Sequence, residues 1–133
     1  NKNVLIIDAG TCITYDFLNH KNEYLGGAIS PGIQMRYSAL HDYTSKLPKL
    51  SISNTYKFTG MSTAECIHSG VIHGVVKEIE GCISQYDKKY LDLTVILTGG
   101  DTKFLSKQLK NSIFAQQNFL LHGLNQILAF NNQ

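Results

Sequence analysis

The residues best suited to chemistry are Asp8-Ala9-Gly10-Thr11, which combine a carboxylate, backbone freedom and a hydroxyl in one short turn. They follow four aliphatic residues, Val4-Leu5-Ile6-Ile7, so Asp8 stands rigidly at the end of a buried strand. Gly10 lets the backbone bend until successive amide N–H groups point outward, and amides so arranged cradle a phosphate. Thr11 adds a hydroxyl donor. Asp8 has the same sign of charge as a phosphate, so it would act through a bound cation rather than face the anion. An ordinary hairpin turn uses the same residue types, and that reading stands beside the first. A second turn of this kind follows Leu93–Leu97, a buried strand by its composition, which ends in Thr98-Gly99-Gly100-Asp101. Thr102–Leu109 reads as a helix. Gly99 and Gly100 then lie between a strand end and a helix N-terminus, where amides favour anions and a flat ligand can approach, and Asp101 is expected to cap the helix.

Around these turns the chain offers recognisable supports. Alternating Ile13, Tyr15 and Phe17 make the return strand of a hairpin over Val4–Leu18, with Asn19-His20-Lys21-Asn22 as the distal turn and Glu23–Ser30 as a third antiparallel strand. Gly26 and Gly27 inside that third strand mark either a bulge or a place where a ligand or another backbone comes close. Ser30-Pro31-Gly32 predicts a helix start, with Ser30 as the cap and Pro31 at the first helical position, and the helix runs to about Thr44. Leu50–Gly60 shows no period and reads as a long surface loop with a functional or partner-contacting role. Ser62-Thr63-Ala64-Glu65 fits a capping box that opens a long helix. Its stripe, Ile67, Val71, Val75, Ile79 and Ile83 broadened by Ile72 and Val76, predicts one buried face. Gly70 and Gly74 cost that helix about 1 kcal/mol each against alanine, so a sheet or a second subunit is expected to pack closely there. His68 and His73, five apart, share no face and are read as core or solvated histidines rather than metal ligands. Phe119–Leu121 reads as a short strand and Gly123–Phe130 as a terminal helix.

The chain as a whole narrows the possibilities. Its 133 residues suit one domain. A composition with 43% apolar and 17% charged residues, and a formal charge of +2 with scattered lysines, implies neither a nucleic-acid partner nor a membrane partner. Apolar runs stop at four or so residues, against about 20 for a membrane span. Cys12, Cys66 and Cys82 show no C-x-x-C spacing, so neither a disulfide framework nor a zinc site is expected, and the cytoplasm is the expected compartment. A start at Asn1-Lys2-Asn3, one step before the first strand, reads as an excised piece.

The order of elements, with the Asp-x-Gly-Thr hairpin first and the Gly-Gly turn after a later strand, resembles one ribonuclease H-like half of the actin-like ATPase and sugar kinase fold. That is an α/β class in which a three-strand antiparallel meander is extended by later strands and helices pack on the sheet. Within it the chain resembles the type III pantothenate kinase family. The resemblance rests on Asp8–Asp16, Gly26-Gly27-Ala-Ile-Ser-Pro-Gly32, Thr44-Ser-Lys-Leu-Pro48, Gly60-Met-Ser-Thr63, Thr98-Gly-Gly-Asp101 and Gly123-Leu-Asn-Gln-Ile-Leu128, six motifs in the family's order. It implies a kinase that transfers the γ-phosphoryl group of ATP, with magnesium, to the hydroxyl of pantothenate in coenzyme A biosynthesis. By that similarity Asp8 would hold a monovalent cation, potassium or ammonium, and Gly10 and Thr11 would contact ATP, with Gly99 and Gly100 beside the nucleotide. Thr63 would bind pantothenate, Gly26, Gly27 and Pro31 would shape the substrate side, and the protein would be a homodimer with the long helix as interface candidate.

The departures lie at the front. The family carries an N-terminal half with its own Asp-x-Gly loop and a Gly-x-Asp-Arg motif whose aspartate is the proposed general base. This chain has no such motif, and its single arginine is Arg36. The resemblance therefore implies that residues 1–133 form the C-terminal domain of a kinase, with no catalytic base of their own and no turnover in isolation. The alternative is a non-catalytic nucleotide-binding or regulatory module of the same fold. Another kinase of the superfamily is disfavoured by the context of Thr63 and by Lys46-Leu47-Pro48.

Overall fold

The structure, a computed structural model, describes residues 2–110 and 112–131. Three strands, β1 (Asn3–Ala9), β2 (Cys12–Leu18) and β3 (Tyr24–Pro31), come first, followed by α1 (Ile33–Asp42) and the long α2 (Thr63–Lys89). Then come β4 (Leu93–Thr98), α3 (Thr102–Leu105), β5 (Phe114–Ala115) and α4 (Phe119–Asn131). The sheet order is β3-β2-β1-β4-β5. β1–β2 and β2–β3 pair antiparallel as the expected meander, while β1–β4 and β4–β5 are parallel. The result is an α/β fold with a mixed sheet.

Strand alternation decides which face is covered. Leu5, Ile7 and Ala9 of β1 and Ile13, Tyr15 and Phe17 of β2 are buried in one cluster with Val95 and Leu97 of β4. The α2 stripe, Ile67, Val71, Ile72, Val75, Val76, Ile79 and Ile83, is buried in the same cluster, as are Ile33 and Tyr37 of α1. Each such aliphatic side chain contributes about 1.5–3 kcal/mol on burial, so the stripe outweighs the helix's three glycines several-fold. Ser62 caps α2, its Oγ accepting the Glu65 N–H at 3.2 Å, and the Glu65 carboxylate accepts the Met61 N–H at 2.7 Å. The long 50–60 loop lies against α2, where the Ser69 hydroxyl donates to the Phe58 carbonyl, and reaches the segment after α3, where the Tyr56 hydroxyl donates to Gln108 at 2.5 Å. The Tyr37 hydroxyl meets His68 Nδ1 at 2.7 Å, and His73 sits edge-on to the Tyr56 and Phe58 rings. Among the described residues, no helix is long and apolar enough to cross a membrane.

Several local expectations are corrected. Pro31 ends β3 instead of starting a helix, and β3 is an edge strand, where a missing N–H costs the ladder nothing. Gly32 is the α1 N-cap, and the Ser30 hydroxyl donates to Glu78 rather than capping. The helix after the Gly-Gly turn is only the four residues of α3, and the Asp101 side chain makes no capping hydrogen bond. Phe119–Leu121 is the first turn of α4, not a strand, because its apolar residues continue at helical spacing through Leu124, Ile127 and Leu128. The fifth strand is Phe114–Ala115. Finally, the sheet does not pack against Gly70 or Gly74: among the described residues a β-carbon at either would meet open space, because both lie on the helix face opposite the buried stripe.

Two substitutions on α2 test this assignment of faces. Ile79→Ala is expected to cost about 2–5 kcal/mol in urea unfolding, whereas Gly74→Ala is expected to stabilise the chain by up to about 1 kcal/mol. A Gly74→Ala that destabilises the chain in the absence of a second copy would contradict an open helix face.

Candidate functional site

Asp8 and Thr98 lie side by side at the ends of the parallel neighbours β1 and β4, and Asp8 pairs across the hairpin with Thr14. The two turns beyond these ends are joined directly. The Asp101 N–H donates to the Ala9 carbonyl at 2.9 Å, while within the second turn the Thr102 hydroxyl donates to the Gly99 carbonyl at 2.7 Å. Gly99 has φ +97°, a left-handed conformation, and a β-carbon there would overlap the Ala9 carbonyl and the Asp8 carboxylate. The glycine is therefore required by the neighbouring turn itself. Gly10 and Gly100 differ: a side chain at either would meet nothing, so both leave the surface open to a ligand.

The expected geometry of Gly10 is corrected in one respect. Its φ is not in the left-handed region, and its N–H donates to the Cys12 carbonyl at 2.9 Å, so that amide serves the hairpin rather than pointing outward. Thr11 is exposed, and its carbonyl accepts the Gly32 N–H at 3.0 Å. A β-carbon at Gly32 would overlap the Gly10 and Thr11 carbonyls, so the start of α1 sits directly under the turn. The Asp8–Thr11 turn is thus gripped from two sides, by Asp101 through Ala9 and by Gly32 through Thr11.

Asp8 also opens onto the sheet face away from α2. A recess of about 350 Å³ there is lined by Ile6, Asp8, Thr14 and Asp16 and roofed by Leu120 and Leu124 of α4. Thr14 and Tyr24 hydroxyls both donate to the Asp16 carboxylate, at 3.2 and 2.8 Å. Burial raises the pKa of Asp101 above the usual aspartate range.

The remaining sequence-predicted residues fall in three places. Thr63 opens α2 and lines a broad apolar groove of about 1130 Å³ with Arg36, Leu40, Tyr43, Met61 and Cys66, apart from the Asp8 turn. Pro31 pairs with Cys12 and adjoins Gly32, so it belongs with the Thr11 turn. Gly26 and Gly27 lie elsewhere, where the β2–β3 register slips between Asp16 and Leu18. Gly26 has φ +93°, and a β-carbon at Gly27 would overlap the Tyr15 carbonyl, so both glycines are accounted for by the irregular pairing.

One constellation escaped sequence reasoning. Glu78 of α2 accepts the Tyr15 hydroxyl at 2.8 Å and the Ser30 hydroxyl at 2.5 Å on one oxygen, and pairs with the Arg36 guanidinium at 2.5 Å through the other. Burial alone would raise its pKa, but the hydrogen bonds from Arg36, Ser30 and Tyr15 outweigh it and hold the carboxyl below its usual range. Burial, reinforced by the Glu78 carboxylate, pushes the Tyr15 hydroxyl and the Cys82 thiol up. A signal was present: Glu78 lies seven residues after Val71, on the flank of the apolar stripe, where a carboxylate needs partners.

The two glycines of the second turn give a direct contrast. Gly99→Ala is expected to lower unfolding free energy by at least about 2 kcal/mol, with Gly100→Ala within about 0.5 kcal/mol of the parent. Equal effects, measured by urea denaturation, would contradict the clamp.

The family model described as type III pantothenate kinase matches residues 1–85. A type III pantothenate kinase of Flavobacterium johnsoniae is 54% identical over 129 residues, covering 97% of this chain and 53% of the relative. One of Christiangramia forsetii is 57% identical over 130 residues, covering 98% of this chain and 54% of the relative. A crystal structure from Campylobacter jejuni, described as a conserved Baf family transcriptional activator, superposes with a TM-score of 0.69 over 98% of this chain and 59% of its own. At 22% identity it speaks to the fold alone. The chain spans about half the length of the curated relatives it matches. With the family model covering most of its length, the chain belongs to the type III pantothenate kinase family.

Proposed function

We propose that residues 1–133 are the C-terminal half of a pantothenate kinase, one half of an actin-like ATPase fold, and that the Asp8–Thr11 turn serves the phosphates of ATP. The observation that carries this is the turn's double grip, by Asp101 and by Gly32, in a chain of this family. Phosphoryl transfer is mostly positioning and charge neutralisation, so a rigid, open turn is what this half contributes. In the proposed reaction the pantothenate hydroxyl oxygen attacks the γ-phosphorus and forms a new P–O bond. The bond to the β-phosphate oxygen breaks, ADP leaves, and the hydroxyl proton passes to a carboxylate in the other half of the protein.

In this reading the Thr11 hydroxyl and the open faces of Gly10 and Gly100 meet the phosphates, with Gly99 holding the second turn against the first. Asp8 lies beside Thr14 and Thr98 in a recess otherwise lined mainly by Ile6 and the apolar residues of α4, and the oxygens of these three side chains would hold a monovalent cation such as potassium or ammonium. Such a cation, with the magnesium of ATP, neutralises charge on the phosphate oxygens when bound. Thr63 would touch pantothenate across the broad groove, and Pro31, expected on the substrate side, would act from beside the Thr11 turn. The protein is proposed to be a cytoplasmic homodimer. Because the α2 stripe is buried within the chain, a second copy would meet the open Gly70 and Gly74 face instead.

A coupled ATP assay on the longer protein containing this chain tests the reading. Pantothenate-dependent ADP release is expected, lowered about 100-fold or more in kcat/KM by Asp8→Asn, with no turnover from residues 1–133 alone. A longer protein without pantothenate-dependent turnover would favour a binding module. Full turnover by the short chain would overturn the assignment of the base to the other half.

A further inference from the structure

Glu78 touches neither turn, yet it ties together β2, β3 and α1, the elements beneath Thr11. Its bonds to Tyr15 and Ser30 hold β2 and β3, and its pair with Arg36 holds the first turn of α1. Arg36 passes the constraint on twice. Its Nε donates to the Pro31 carbonyl at 2.9 Å, and its backbone N–H donates to the Gly32 carbonyl at 3.1 Å. Gly32 in turn donates its N–H to the Thr11 carbonyl at 3.0 Å, with its Cα pressed against the same turn. The path from Glu78 to Thr11 is therefore an unbroken run of contacts, and its only charged link is half-buried, where an ion pair is less screened by solvent than on the surface.

We propose that Glu78 is a positioning residue for the phosphate turn, acting through Arg36 and the Pro31–Gly32 peptide to fix where Thr11 stands. The proposal rests on the kinase reading above for its effect on ATP, but the mechanical link does not. Asp101 grips the turn only through Ala9, on the β4 side. With Glu78 changed, the Thr11 side is left to Gly32 alone, anchored by a guanidinium that has lost its partner. Arg36 also lines the Thr63 groove, so the signature of this link is read at the turn itself, as weaker ATP binding together with lost protection of the Gly32 amide.

The test uses the longer protein containing this chain. In Glu78→Gln, the KM for ATP is expected to rise at least about threefold. Exchange of the Gly32 amide, followed by NMR, is expected to accelerate about tenfold relative to the amides of the α2 core. Arg36→Gln, which leaves Glu78 its Tyr15 and Ser30 bonds, tests the same link from the other end should Glu78→Gln fold poorly. The double variant should be no worse than the single ones, since both break one path. Unchanged Gly32 exchange, or an acceleration shared equally by the core amides of α2, would overturn the proposal by reducing Glu78 to a general stabiliser. If the parent protein shows no ATP turnover, the kinase reading fails, and Gly32 exchange alone still decides whether Glu78 controls the turn.

Discussion

The parallel pairing of β1 with β4 is the constraint on which the rest of the structure depends. It sets Asp8 beside Thr98 and so brings two glycine turns, far apart in sequence, into one surface. Parallel neighbours cannot be joined by a short loop, so the chain must cross over, and α1, the 50–60 loop and α2 make that crossing. The crossing then stabilises what it connects. The α2 stripe covers the alternating β1 and β2 residues, while Gly99 closes on Ala9 so tightly that no other residue fits.

This arrangement separates rigidity from access. The buried face of the sheet is sealed by α1 and α2, whereas the face bearing Asp8, Thr14 and Asp16 keeps a recess under α4. The apolar residues of α4, including Leu121, Leu128 and Phe130, are exposed in the described residues. The strand ends therefore present fixed backbone and open glycines to solvent. That is the combination the proposed phosphoryl transfer asks for, since reorganising donors during the reaction would cost the stabilisation they provide.

Much of the fold was legible in the sequence because dense patterns leave few alternatives. Alternation over β1 and β2 and the four-residue spacing of Ile67 through Ile83 each allow one buried face, and both were read correctly. Short apolar runs are ambiguous: Phe119–Leu121 alone fits a strand, and its continuation at helical spacing decides for α4. Ser30 and Pro31 carry the local chemistry of a helix start, but the β2–β3 ladder extends through them and Glu78 claims the serine hydroxyl. The Asp8–Thr11 and Gly99–Gly100 turns were visible as separate motifs. Their contact was not, because register across a parallel pair is a tertiary fact. Glu78 stayed hidden for the same reason: its partners lie on β2, β3 and α1, and nothing within α2 names them.

The central claim is that the clamped Asp8–Thr11 turn, with Gly99 and Gly100, is the surface that meets nucleotide phosphates. The most direct measurement is an NMR titration of magnesium ADP, in potassium buffer, into the isotopically labelled longer protein containing this chain. The account predicts that, within this chain, the amide shifts concentrate at Gly10, Thr11, Gly99 and Gly100, with the Thr63 groove little changed. Shifts concentrated around Thr63 and Tyr43, with the two glycine turns silent, would contradict it.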